Sequence, residues 1–231
     1  HQAHGARASG VSAPFWSSGR SLREVHSCHG WSVWPSSTTF PAGCAVDSMR
    51  IIGGTLKGRR FSPPRSFKGR PTTDFGREGL FNLLRSRTEL EGMEALDLFA
   101  GSGAVSFELA SRGAVTVTAI EQDGGACRYI QQQARDFGFD GIRVVRADVF
   151  AFLSRAMTQF DLVFADPPYT EPRLETLPDL VREASLVAAG GWFVLEHGDR
   201  RDFSETSGFV EMRKYGHVHF SFFDFHGESK D

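Results

Sequence analysis

From residue 89 onward, short apolar runs alternate with longer stretches in which apolar side chains recur every three or four positions. Ala95–Phe99, Val115–Glu121, Arg143–Ala147, Phe160–Ala165 and Gly191–Glu196 are predicted strands. The stretches between them, Ala104–Arg112, Gly124–Phe137, Val149–Met157 and Arg173–Ala188, are predicted helices. Strands separated by helices imply right-handed crossovers and a mainly parallel sheet, an α/β architecture. Phe209–Lys214 and His217–Phe225 close the chain as an expected antiparallel edge hairpin. The second of these alternates, with Val218, Phe220 and Phe222 on one side. Its aromatic side chains, with Phe223 and Phe225, are expected in the core rather than on a base-stacking surface. Upstream the pattern is weaker. Met49–Gly54 and Leu56–Phe61 form a predicted small hairpin, and Ser62–Gly69 a Pro/Gly/basic loop. Thr72 or Thr73 is the expected cap of a helix over roughly 74–87, with Leu80, Phe81, Leu83 and Leu84 on its apolar side.

Residues 1–48 show neither period. They hold ten Ser, three of the four Trp and half of the His. They are expected to lack a packed structure and do not have the basic start and apolar stretch of a signal peptide. Met49 opens a sharply different sequence, so residues 1–48 are read as an upstream extension or artefact and Met49 as the functional start. The remaining chain divides into a basic hairpin and helix over 49–88 and the main α/β domain over 89–231.

Charge sharpens that division. Residues 49–88 carry ten Lys or Arg against two acids, a net of +8, whereas residues 89–231 carry 13 basic and 24 acidic side chains, a net of −11. A basic arm on an acidic body points to a polyanionic partner, in particular nucleic acid. The expected phosphate contacts are Arg50, Lys57, Arg59, Arg60, Lys68 and Arg77. Composition excludes other classes. No apolar run approaches the roughly 20 residues of a membrane helix. Three cysteines, Cys28, Cys44 and Cys127, are too few and scattered for a disulfide framework. His26, Cys28 and His29 lack a second ligand pair, so no metal is expected. A monomer in the reducing cytoplasm is the expected state. Cys127 falls at a helix-packing position.

Candidate chemistry clusters at strand ends, where open α/β sheets bind ligands. Asp166-Pro167-Pro168-Tyr169 follows the strand Phe160–Ala165 and combines an acceptor for amine hydrogens, a rigid backbone and a stacking face. It is also good turn chemistry in its own right. Asp97-Leu98-Phe99-Ala100-Gly101-Ser102-Gly103 joins the first strand to the first helix, and its glycines let backbone approach a ligand closely. Glu121 ends the next strand, where a carboxylate can accept from two ribose hydroxyls. That also suits a dinucleotide, but the third glycine of a phosphate loop is replaced by Ser106, so a cofactor without pyrophosphate fits better. Asp148 ends the third strand and can accept from an adenine amine, cap the helix after it, or both. Glu196 is either a second site carboxylate or a solvent-facing strand end.

These motifs, in this order and spacing, resemble the class I S-adenosylmethionine-dependent methyltransferases that modify exocyclic amines. With Arg50-Ile51-Ile52-Gly53-Gly54, Arg70-Pro71-Thr72-Thr73-Asp74, Arg77-Glu78 and Leu80-Phe81-Asn82, the chain over 49–225 resembles the RsmD-type 16S ribosomal RNA guanine-N2 methyltransferases. Where that family usually carries a basic residue after the aspartate of its Arg-Pro-Thr-Thr-Asp stretch, this chain has Phe75. The resemblance implies a Rossmann-like methyltransferase fold: a seven-stranded, mostly parallel sheet with an antiparallel C-terminal strand and a small N-terminal hairpin. It implies S-adenosylmethionine as cofactor and a guanine of the small-subunit RNA, in a particle or its assembly intermediate, as substrate. It implies that Asp97, Phe99, Ala100, Gly101, Ser102 and Gly103 cradle the methionine end and that Glu121 and Gln122 hold the ribose. Asp148 and Val149 then read adenine, and Arg70, Thr72 and Thr73 close the site. Asp166 and the Pro167 carbonyl orient the amine, while Pro168 and Tyr169 complete the catalytic turn. Competing readings are methyl transfer to adenine N6 or to a glutamine amide, and a non-catalytic RNA-binding assembly protein.

Overall fold

The computed structural model describes residues 48–63 and 73–226, all within one compact unit spanning 45–231. The expectations for residues 1–47, and those for Lys68, Arg70 and Thr72, lie outside the described residues.

The chain enters through β1 (Met49–Arg50), paired antiparallel with β2 (Arg60–Phe61). Helix α1 (Asp74–Arg85) follows, capped by the Thr73 hydroxyl, which accepts from the Gly76 N–H. The alternation then runs β3 (Glu94–Leu98), α2 (Ala104–Ser111), β4 (Thr116–Glu121), α3 (Gly124–Phe137), β5 (Ile142–Arg146), α4 (Val149–Leu153) and β6 (Phe160–Ala165). A 3-10 turn at Leu174–Thr176 leads into α5 (Leu177–Glu183). Strands β7 (Val187–His197), β8 (Phe209–Tyr215) and β9 (Val218–Phe223) complete the fold. The seven-stranded sheet has the order β5-β4-β3-β6-β7-β9-β8. Its first five strands are mutually parallel, and β9 runs antiparallel to both neighbours.

Period-two alternation sorts the sheet's side chains into two layers. On one side Leu96, Leu98, Val163, Ala165, Phe193, Leu195 and Phe223 pack with Leu153 of α4 and Leu177 and Val181 of α5. On the other, Ala95, Leu162, Phe164, Val194, Phe220 and Phe222 pack with Leu80, Phe81 and Leu84 of α1 and Val105 and Leu109 of α2. The closing aromatics are therefore core, as the pattern predicts. Asp97 follows Ala95 on the second side. Its carboxylate is buried and accepts from the Ser106 hydroxyl of α2.

Three elements depart from the sequence reading. The predicted helix Arg173–Ala188 is reduced to α5. Pro178 confines the helix start because it has no N–H to give a preceding turn. Ser185 turns left-handed at φ 50° and releases the chain into β7, four residues before the predicted strand start. Helix α4 ends at Leu153, short of Met157, which is exposed. The hairpin has two residues per strand because Gly53 and Gly54 leave it for α2.

That departure has one cause. Glu108 of α2 is fully buried, and its carboxylate accepts from the backbone N–H groups of Ile52 and Gly53 at 2.7 Å each. The Ser111 hydroxyl donates to Gly53 O at 2.7 Å and accepts from Leu56 N–H at 3.0 Å. Gly54, at φ +75°, lies so close that a Cβ there would stand 1.8 Å from the Ser111 carbonyl oxygen. The arm is thus bolted to α2 through a buried carboxylate that also pairs with Arg112.

Two outcomes follow from these buried acids. Glu108→Ala is expected to destabilise the chain by about 3–5 kcal/mol in urea unfolding, because it leaves two amides and Arg112 uncompensated. A loss under about 1 kcal/mol would show that the arm is attached otherwise. Asp97 has its pKa raised from 3.8 to about 7, chiefly by desolvation, with the Ser106 hydrogen bond opposing and the negative charges of Asp166 and Glu121 adding to the rise. A raised folded-state value means that its stabilising contribution is complete below about pH 4 and is lost as pH rises through about 7. Asp97→Asn is therefore expected to remove a loss of stability between pH 4 and 7 that the unsubstituted chain shows in thermal unfolding. Parallel pH profiles would refute this.

Candidate active site

The chain leaves β3 toward β4 on one side, and β6 is laid against β3 on the other. The order reverses between β3 and β6, so the loops after these strands diverge and leave a crevice at their carboxyl ends. Both predicted motifs sit there. They are joined by the Asp166 N–H, which donates to Leu98 O at 3.4 Å.

The loop 99–103 is built from left-handed residues: Phe99 at φ 62°, Gly101 at φ 55° and Gly103 at φ 76°. Phe99 bears a Cβ, so its conformation carries strain of about 1–3 kcal/mol. Strain of that kind gathers at functional sites. Its ring meets Phe150 edge-on, centroids 6.1 Å apart. Ala100 N–H donates to Ile120 O at 2.9 Å. Glu121 then braces the loop from β4: one carboxylate oxygen accepts from Gly101 N–H at 2.9 Å and the other from Asp123 N–H at 2.8 Å. Each oxygen has a further lone pair, which suits a ligand offering two adjacent hydroxyls. Ser102 is buried, its hydroxyl 3.9 Å from the Met49 sulfur, so the hairpin backs the loop. Gln122 is exposed, and its carbonyl accepts from Arg146 at 3.3 Å. Ser106 turns inward to Asp97, so α2 opens without a glycine cradle for a pyrophosphate.

Asp148 caps α4, one of the roles open to it from sequence: one oxygen accepts from Ala151 N–H at 3.0 Å. Its other oxygen lies 3.9 Å from Arg173, whose guanidinium sits 3.6 Å from the centre of the Phe150 ring. Val149 is buried beneath it. Arg173 has no sequence signal of its own. It follows the turn by four residues and reaches back to the end of β5 only in the fold.

In the turn itself, Asp166 is half-buried, Pro167 is buried and Pro168 is exposed, with its carbonyl accepting from Glu171 N–H at 2.7 Å. Tyr169 is 44% exposed and its hydroxyl donates to Glu196 Oε1 at 3.3 Å. Glu196 is buried at the end of β7, which decides between its two sequence readings against a solvent-facing strand end. Thr73 is exposed at the start of α1. Cys127 is buried, and its thiol contacts Glu121 O at 3.3 Å. Among the described residues, no group of three or more His, Cys, Asp or Glu is placed to hold a metal ion.

The basic arm divides. Arg50, Lys57, Arg59 and Arg60 are exposed. Arg77 corrects its expectation: it is fully buried, donates to the Arg50 carbonyl at 3.1 Å and pairs with Asp74. It is a structural cation, not a surface one. Its spacing from Leu80, Phe81 and Leu84 puts it on the apolar stripe of α1, a signal that its charge obscures.

Comparison with known proteins agrees with this geometry. The model of the family described as conserved hypothetical protein 95 matches residues 49–224. The ribosomal RNA small subunit methyltransferase D of Escherichia coli K12 is 36% identical over 140 residues, covering 61% of this chain and 70% of that protein. Its namesake from Haemophilus influenzae is 36% identical over 192 residues, covering 74% and 95%. The solved 16S rRNA N2 G1207 methyltransferase of Thermus thermophilus, in complex with AdoMet and guanosine, shares the fold. Its TM-score is 0.60 at 21% identity, covering 77% of this chain and 49% of that one. Family model, relatives and crevice converge: the chain belongs to the conserved hypothetical protein 95 family, the RsmD-type ribosomal RNA methyltransferases.

Proposed function

We propose that the chain transfers a methyl group from S-adenosylmethionine to the exocyclic N2 of a guanine in 16S ribosomal RNA. The observation that carries this reading is the placement of the Glu121-braced glycine loop beside the Asp166–Tyr169 turn at the β3/β6 crevice.

The donor set fits the cofactor. Glu121 offers both oxygens to the ribose hydroxyls, with Gln122 beside it, and Asp148 offers the adenine amine a remaining lone pair of the oxygen that faces Arg173, next to buried Val149. Backbone of the left-handed loop from Phe99 to Gly103 faces the amino-acid end, with Asp97 beneath and Thr73 at the rim. Arg70 and Thr72 complete this set in the reading. When bound, S-adenosylmethionine supplies a methyl group already activated on a sulfonium, and the residues described next have only to orient and shield.

A guanine amine is a weak nucleophile because its lone pair is shared with the ring. The Asp166 carboxylate and the Pro167 carbonyl accept its two hydrogens and turn the lone pair toward the methyl. Orientation of this kind removes several kcal/mol of barrier, up to about 7–11 in favourable cases. The negative charge of Asp166 also stabilises the positive charge that grows on the amine nitrogen. The two prolines hold the backbone, and the Tyr169 ring stacks on the unstacked base, worth about 1–3 kcal/mol. Arg50, Lys57, Arg59 and Arg60 of the hairpin, with Lys68, contact flanking phosphates, so affinity falls with salt. No helix among the described residues is long and apolar enough to cross a membrane, and the reading places the enzyme with its ribosomal substrate in the cytoplasm.

Titration calorimetry should give binding heat with S-adenosylmethionine, and Glu121→Ala should weaken binding about tenfold or more, as expected for a lost charge-assisted hydrogen bond. No heat with the unsubstituted protein would sink the reading. Asp166→Ala should lower turnover on methyl-deficient small subunits by about 10²-fold while cofactor affinity changes far less. An equal fall in affinity would remove Asp166 from the amine. Nucleoside analysis of the labelled product should yield N2-methylguanosine. N6-methyladenosine would overturn the substrate.

A further inference from the structure

Glu196 is assigned no part in the chemistry above, yet its environment is unusual for an acid. It is 2% exposed at the last rungs of β7, flanked by Phe220 on β9. Burying a carboxylate there is costly unless it accepts hydrogen bonds, and the Tyr169 hydroxyl donates to it at 3.3 Å. Tyr169 is therefore held by its hydroxyl, and its ring faces Gly198, where an added Cβ would meet the ring carbon Cδ2 at 3.5 Å. The backbone at Gly198 is itself fixed. His197 Nδ1 donates to the Gly198 carbonyl at 2.9 Å, which leaves Nε2 to accept from the Ser221 hydroxyl of β9 at 2.8 Å. The end of β7 thus fixes, through Glu196, the hydroxyl of an aromatic ring that belongs to the loop after β6.

We propose that Glu196 is a positioning residue for the target base. It holds Tyr169 in the orientation that stacks the base beside Asp166, so that the ring is ordered before RNA arrives. Glu196 acts through Tyr169 and does not touch the amine. This rests on the function proposed above. Freezing an exposed aromatic side chain in advance spares its ordering cost on binding, which corresponds to about a three- to tenfold gain in apparent RNA affinity.

A double-mutant cycle tests it. Tyr169→Phe keeps the stacking face and loses the hydroxyl. Glu196→Ala loses the acceptor, and Glu196→Gln retains an acceptor oxygen. Tyr169→Phe and Glu196→Ala are each expected to raise KM for small subunits about three- to tenfold, with cofactor affinity unchanged. The double variant is expected to be no worse than the poorer single one, and Glu196→Gln to recover most of the loss. Additive losses, a silent Tyr169→Phe, or a Glu196→Gln as impaired as Glu196→Ala would each overturn the proposal. If Glu196→Ala fails to fold, Tyr169→Phe against Glu196→Gln decides the same question. The cycle repeated on stability in urea, without RNA, separates two failures. Coupling with no methyl transfer by the unsubstituted protein sinks the proposed function, and transfer without coupling sinks only the role of Glu196.

Discussion

The position of β6 between β3 and β7 governs the crevice. Leu98 pairs with Ala165, and Ala165 with Leu195. That register ends β6 level with β3 and two residues short of the end of β7, so the residue after it, Asp166, emerges beside the glycine loop on one hand and Glu196 on the other. It also fixes direction. Leu162 and Phe164 point into the layer covered by α1 and α2, and Asp166 continues that alternation. A slip of one residue would turn Asp166 into the layer that Val163 and Ala165 now occupy. The lateral irregularity between Phe160 and Leu162 lies at the far end of the strand, where it leaves the site's register untouched.

Helix α2 couples this crevice to the basic arm. It is only Ala104–Ser111 and almost wholly buried, so each of its polar side chains needs a partner. Ser106 serves Asp97 under the glycine loop, whereas Glu108 and Ser111 hold the hairpin backbone. One rigid element therefore bears on the floor of the cofactor loop and on the base of the cationic arm. The proposed separation of labour, phosphates on the arm and base in the crevice, requires a fixed distance between them. The buried Glu108 supplies that rigidity without spending a surface charge.

What the sequence revealed and what it hid have a common explanation. Elements whose ends carry local chemistry were legible. Asp123 caps α3 and left-handed Gly138 ends it, and the observed Gly124–Phe137 matches the predicted range. The motif residues at the ends of β3, β4, β5 and β6 were legible because a strand's end is a local fact. Long-range side-chain commitments were not. Arg77 reads as an RNA contact until the apolar stripe of α1 turns it inward. Glu108 carries no local signal for its role, because the two backbone amides it accepts from lie 55 and 56 residues away. Glu196 lies 27 residues from the hydroxyl it accepts, a pairing that no local period encodes. The over-long helix Arg173–Ala188 failed for a different reason: Ser185 adopts a left-handed turn, which serine gives no sequence warning of.

Charge placement gives the site its last constraint. The main domain is acidic overall, and the crevice gathers Asp97, Glu121 and Asp166 closely enough for the latter two to raise the pKa of the first. Clustered carboxylates repel one another and would be a liability in an ordinary core. They suit a ligand that arrives as a cation and an amine that becomes one as it reacts. The same field repels phosphate, so in the proposed reading RNA is gripped elsewhere, by the exposed cations of the arm. Arg50 and Lys57 stand on a hairpin anchored at the back of the glycine loop, with Met49 packed on Ser102. In the proposed reading a base drawn into the crevice lies among acids while its own backbone stays on the basic arm. That reading assigns attraction for the transferring group and attraction for the polyanion to separate surfaces of one domain, since an acidic crevice cannot also hold phosphates.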